Sequence, residues 1–168
     1  MKTSILSVLV SILFISCQSN ITVSSDSKIT IPISELVMES AIIYEVNIRQ
    51  YSEQGTFEAF TKDIPSLKDL GVKIIWLMPI NPISKIKRKA TDGSFTSDVA
   101  DEEERKKYLG SYYSVSDYKA INPEFGSKDN LKNLIDVAHQ NDMYVIVDWV
   151  PNHTGWDHPW IYAHPEWY

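Results

Sequence analysis

Past its first 40 residues, this chain gathers its apolar residues into three short runs, and the two stretches between them carry helical spacing. The first run, Ile42-Ile43-Tyr44-Glu45-Val46-Asn47-Ile48, is short and rich in β-branched and aromatic residues, so it predicts a strand. Thr56 then supplies a helix cap, and Phe57, Phe60, Ile64, Leu67 and Leu70 recur at spacings of three and four until Gly71 ends the stripe. Pro65 lacks an amide donor and its ring crowds the preceding turn, so a kinked or split helix is expected there. Val72 to Leu77 is a near-continuous apolar run, as a strand covered on both faces requires, and Pro79 and Pro82 end it. A second helix starts near Ser127, presents Leu131, Leu134, Ile135 and Ala138 on one face, and leads to a third strand, Tyr144 to Val150.

Strands that alternate with amphipathic helices indicate parallel βα units, so the class is α/β. Periodicity alone does not separate a closed barrel from an open doubly wound sheet. No glycine-rich phosphate loop follows any of the three strands, which removes support for nucleotide binding. The link from Pro79 to Gly126 is far longer than such units usually need, which makes it a place to look for function. Its basic cluster (Lys85, Lys87, Arg88, Lys89) and its mixed cluster, Asp101 to Lys107, read as a solvated loop or a short surface helix.

Composition changes this picture little: 168 residues, 43% hydrophobic and 23% charged, describe an ordinary globular chain with material for a core. A net charge of -6 offers no overall positive field, so nucleic acid is not an expected partner and a neutral substrate fits better. Residues 1–16 read as an export signal, with Lys2 as the positive region and Ile5 to Ile15 as an apolar run too short to span a bilayer. Phe14-Ile15-Ser16-Cys17 resembles the lipobox of bacterial lipoprotein signals, which implies that Cys17 carries lipid; the alternative is a plain secretory signal with an incidental cysteine. On the lipobox reading the protein is an exported bacterial lipoprotein of the cell envelope, periplasmic or surface-exposed, and meets the membrane only through its anchor. Residues 17–38, rich in Ser and Thr over their first half, read as a tether.

Candidate chemistry sits where the strands end. Asp148 closes an apolar strand, where an unpaired carboxylate costs several kcal/mol, so it serves either a structural pair or a site. His153 either offers a hydrogen bond to a ligand or completes its own loop, and Asn152 offers one hard oxygen suited to calcium. Tyr112 and Tyr113 present flat faces that cover a pyranose ring or pack the loop, and Trp149, Trp156, Trp160 and Trp167 pose the same question.

Three ordered motifs sharpen these alternatives. Asp148-Trp149-Val150-Pro151-Asn152-His153 resembles the first conserved region of the alpha-amylase family of glycoside hydrolases, at the end of the third barrel strand. Gly71 to Pro82 is similar to that family's second strand, and Tyr112 to Ser127 to its Gly-Tyr-x-x-x-Asp-Tyr and Pro-x-Phe-Gly-Thr segments. The resemblance implies the N-terminal portion, about three βα units, of a (β/α)8 barrel, truncated, with residues 39–153 in the barrel and 154–168 starting the domain inserted after strand three. It implies that Tyr113 stacks on the sugar beside the scissile bond, that His153 hydrogen-bonds that sugar, that Asp148 braces an arginine, and that Asn152 binds structural calcium. Tyr112 stands where the family has glycine, which leaves the choice of stacking tyrosine between Tyr112 and Tyr113. The implied activity is retaining hydrolysis of alpha-glucosidic bonds in starch-like or maltodextrin substrates, with nucleophile and acid expected beyond Tyr168 and residues 1–168 inactive alone. The alternative is a non-catalytic glycan-binding or partner-binding protein with an amylase-like barrel.

Overall fold

The computed structural model describes residues 32–168, apart from 91, 106, 107 and 109. The export signal, Cys17 and the first part of the tether therefore lie outside the described residues, as do Lys106 and Lys107 of the mixed cluster. The tether's boundary falls inside a helix: Ser34 accepts a hydrogen bond from the Val37 amide and caps α1, Glu35–Ser40. Among the described residues no helix is long and apolar enough to cross a membrane.

Three parallel strands follow in the order β1-β2-β3, namely Ile42–Val46, Val72–Leu77 and Tyr144–Val147. Tyr44 aligns with Ile75 and Val46 with Leu77, while Leu77 aligns with Val147 on its other side. The central strand matches its apolar text, with Ile75 and Leu77 fully buried. The outer strands end earlier than their apolar runs. Asn47 precedes a short helix, α2 (Ile48–Tyr51), and Ile48 reads as strand only because it is buried. Past Val147 the amide of Asp148 still bonds to the Leu77 carbonyl at 2.8 Å, and then the chain leaves the ladder, so Trp149 and Val150 belong to the following loop.

The first helical stripe is split, as Pro65 requires. It forms α3 (Phe57–Thr61), capped by Thr56, and α4 (Ile64–Asp69), where Pro65 sits in the first turn and no amide is needed. Gly71, at φ +85°, turns the chain out of α4 into β2, a conformation other residues adopt only under strain. The second stripe is α6, Lys128–Gln140, opened by a reciprocal Ser127–Asn130 capping box. Phe57, Phe60 and Ile64 meet Leu134 and Ala138 of α6 and Ile75 of β2 in one buried cluster. Each of the phenylalanine, isoleucine and leucine side chains contributes about 1.5–3 kcal/mol by leaving water.

The long link is folded. After β2 it runs out through Ser84, forms a bridge between Lys89 and Phe95, passes a 3-10 turn (Thr96–Asp98) and α5 (Glu102–Arg105), and returns to a second 3-10 turn, Pro123–Phe125. Outgoing and returning arms lie antiparallel: Ile83 bridges Val115, the Ser84 amide donates to the Ser114 carbonyl at 2.7 Å, and Ser116 donates to Pro82 at 2.9 Å. The segment after β3 closes with α7 (Trp160–Ala163) and a 3-10 turn at Pro165–Trp167.

Candidate functional site

The returning arm of the link and the segment after β3 meet beside the ends of β2 and β3, through hydrogen bonds and through the ring of Tyr118 against His158 and Trp160. The Tyr113 hydroxyl donates to Asp148 Oδ2 at 2.7 Å. Burial, the bond to Asp148 and its charge push the Tyr113 pKa up to about 12, so the hydroxyl stays a donor. Asp148, half-buried past the last ladder residue, accepts this bond. His153 Nε2 lies 3.0 Å from the Tyr113 carbonyl. A carbonyl only accepts, so Nε2 carries the proton and Nδ1 is left to accept from the Asn152 side-chain amide at 3.3 Å. Both ring nitrogens are engaged, and a sugar hydroxyl would have to replace the longer Asn152 bond.

Tyr112 goes elsewhere. Its ring stacks on buried Phe125 with centroids 5.7 Å apart, its hydroxyl donates to Glu124 at 3.0 Å, and the Arg49 guanidinium lies 5.4 Å from its ring centre. Desolvation and then the Glu124 charge raise its pKa to about 12. Of the two tyrosines, the structure brings only Tyr113 together with Asp148 and His153.

Tyr118 does not stand among the site residues read from the sequence, and the basic cluster stands there only as solvated charge. The Tyr118 hydroxyl sits 2.6 Å from the Val150 carbonyl and 2.5 Å from that of His153, sharing one proton between them and fixing the loop that carries His153. Tyr118 lies inside the Gly-Tyr-x-x-x-Asp-Tyr segment, which was its available signal. Asp117 turns away to accept the Lys119 amide at 2.7 Å. The three lysines of the basic cluster are exposed as expected, and Lys87 and Lys89 line a cleft of about 1310 Å³ with Phe95, Asn152, His153 and Trp156. Arg88 is half-buried, and Gly110 leaves it room, since a Cβ there would lie 2.1 Å from the guanidinium Nε. The acidic part of the mixed cluster behaves as expected, forming the exposed first turn of α5.

The described residues do not fit a calcium ion. Asn152 offers one oxygen, its amide faces His153, and no group of three or more His, Cys, Asp or Glu able to hold a metal occurs among the described residues. Calcium needs six to eight oxygens, so no chemistry is derived through it.

A family model described as "Alpha amylase, catalytic domain" matches residues 24–166. Among curated relatives, an alpha-1,4-glucan:maltose-1-phosphate maltosyltransferase of Cereibacter sphaeroides is 32% identical over 74% of this chain and 21% of its own length. Among solved structures, an alpha-amylase from Lactobacillus plantarum superposes with a TM-score of 0.64 at 42% identity, covering 76% of this chain and 26% of that one. A maltogenic alpha-amylase from Thermotoga neapolitana gives a TM-score of 0.63 at 35% identity, covering 76% and 27%. The chain therefore spans about a fifth of the curated relative it matches, and its three parallel strands with their helices are part of a (β/α)8 barrel. With the fold, the ordered motifs and the family match in agreement, the chain belongs to the alpha-amylase catalytic-domain family.

Proposed function

We propose that these residues form the sugar-binding wall of a retaining glycoside hydrolase acting on alpha-glucosidic bonds of starch-like or maltodextrin substrates. The observation that carries the proposal is the meeting of Tyr113, Asp148 and His153 beside the ends of β2 and β3, where barrels of this kind build their sites. In this reading Tyr113 offers its ring face to the sugar, with Asp148 holding its hydroxyl and His153 its backbone carbonyl. His153 Nδ1 accepts a hydrogen bond from a sugar hydroxyl once Asn152 yields. Tyr112 is set aside as a packing residue, on its contacts with Phe125 and Glu124.

The reaction class uses two carboxylates about 5–5.5 Å apart, one attacking the anomeric carbon and one protonating the leaving oxygen. Asp148, already held by a hydroxyl, is not assigned either role; the relatives' much greater length supports assigning the pair to later strands. The test is incubation of the full-length protein with maltoheptaose, following new reducing ends and the anomeric configuration of the first product by NMR. Release of α-configured product is expected. Binding without cleavage would replace this reading with that of a non-catalytic glycan-binding protein.

The proposal extends to export with lipid on Cys17, supported by the apolar run that precedes it and the lipobox resemblance. Metabolic labelling with a tagged fatty acid should mark the wild-type protein and not the Cys17→Ser variant.

A further inference from the structure

Trp156 is an exposed aromatic on an over-determined backbone. More than half of its surface, 59%, is open to solvent, although a tryptophan gains most by burial. The residues on either side of it are pinned. The Gly155 amide donates to the Val115 carbonyl at 2.6 Å, and a Cβ on Gly155 would come within 2.6 Å of Ser84 Cβ and 3.1 Å of two carbonyl oxygens. Asp157 accepts the Lys85 amide at 2.8 Å. One face of the indole is covered by Lys87, whose Nζ lies 4.4 Å from the ring centroid. Lys87 reaches it from a left-handed backbone, φ +50°, flanked by the Lys89–Phe95 bridge and the Thr96-to-Arg88 hydrogen bond. Packing explains where this ring is held, and among the described residues the rest of its surface faces the cleft.

The same cleft contains His153, three residues earlier in the chain. Three residues reach at most about 11 Å between α-carbons, so the ring stands within a few sugar units of the wall described above. A pyranose has an apolar C–H face and polar edges, and a rigid aromatic surface suits that face because little freedom is lost on contact. We propose that Trp156, backed by Lys87, is a second sugar platform, which takes a glucose unit of an α-linked oligosaccharide away from the one against Tyr113 and His153. This rests on the functional reading above and deepens it: the long link, through Lys87, sets a preference for longer chains over single glucosides.

The test compares maltoheptaose with 4-nitrophenyl α-glucoside as substrates of the full-length protein. Trp156→Ala is expected to raise KM for maltoheptaose roughly five- to tenfold while leaving kcat/KM for the short glucoside within about twofold. Trp156→Phe, which keeps a flat face, should restore most of the loss, and Lys87→Met, which keeps the stem and removes the charge, should fall between. Equal effects on both substrates, or none on either, would overturn the platform. Binding is read separately by titrating each variant with maltoheptaose and following tryptophan fluorescence and heat. A wild-type protein that binds but does not cleave overturns only the catalytic reading, and the same variants then test the platform through Kd. A wild-type protein that neither binds nor cleaves overturns both.

Discussion

The side of the sheet packed by α3, α4 and α6 and the rim where the two loops meet are built on different terms. The packed side is dry and periodic: Phe57, Phe60, Ile64 and Leu134 are fully buried and meet by area alone. The rim is held by bonds between groups far apart in sequence, such as Tyr113 to Asp148, Tyr118 to the Val150 carbonyl and Lys85 to Asp157. It leaves large aromatics such as Trp149 and Trp156 exposed. Apolar contact is non-directional and tolerates some shift, whereas a hydrogen bond between loops places one atom against another. Stability is thus concentrated on one side and positional accuracy on the other.

Substitutions in the full-length protein should separate the two. The largest effect is expected on the packed side, where Phe60→Ala leaves a cavity beneath Tyr51 and costs about 3–5 kcal/mol in denaturant unfolding. Catalysis per folded molecule should survive it. Gly155→Ala comes next, since the new methyl meets Ser84 and two carbonyls; a loss of about 1–3 kcal/mol is expected, together with a fall in maltodextrin turnover per folded molecule. Tyr112→Phe removes the bond to Glu124 and should cost about 0.5–1.5 kcal/mol of stability, leaving KM unchanged.

The mildest test leaves the sequence untouched. Tyr51, Tyr112 and Tyr113 each have a pKa raised from 10.0 to about 12 in the folded chain. Above pH 10 the unfolded chain loses these protons while the folded one keeps them. Their contribution is therefore fully present below pH 10 and is lost as pH rises toward 12. Melting temperature should fall over that window, and less steeply in Tyr113→Phe than in the wild type.

This difference in construction also decides what could be read from sequence. Spacing located α3, α4, β2 and α6, including the break at Pro65, because burial repeats with the period of each element. It overran β1 and β3, because Ile48 and Val150 are buried beyond the ladders and apolar text does not mark where hydrogen bonding stops. The choice between Tyr112 and Tyr113 had no periodic signal, since adjacent residues of an irregular arm are separated only by distant partners, Glu124 for one and Asp148 for the other. Lys87 and Lys89 are exposed, as solvated charge should be, but that they line a cleft leaves no pattern in the sequence.

Whether Tyr113 with Asp148 and His153 is the sugar wall is decided by the equilibrium affinity of the full-length protein for maltoheptaose in two variants. Tyr113→Ala should lower the melting temperature modestly, through loss of its bond to Asp148, and weaken binding by the molecules that remain folded roughly tenfold or more, whereas Tyr112→Ala should lower the melting temperature while folded molecules bind as the wild type does. Unchanged affinity in Tyr113→Ala, or a loss confined to Tyr112→Ala, would contradict the account.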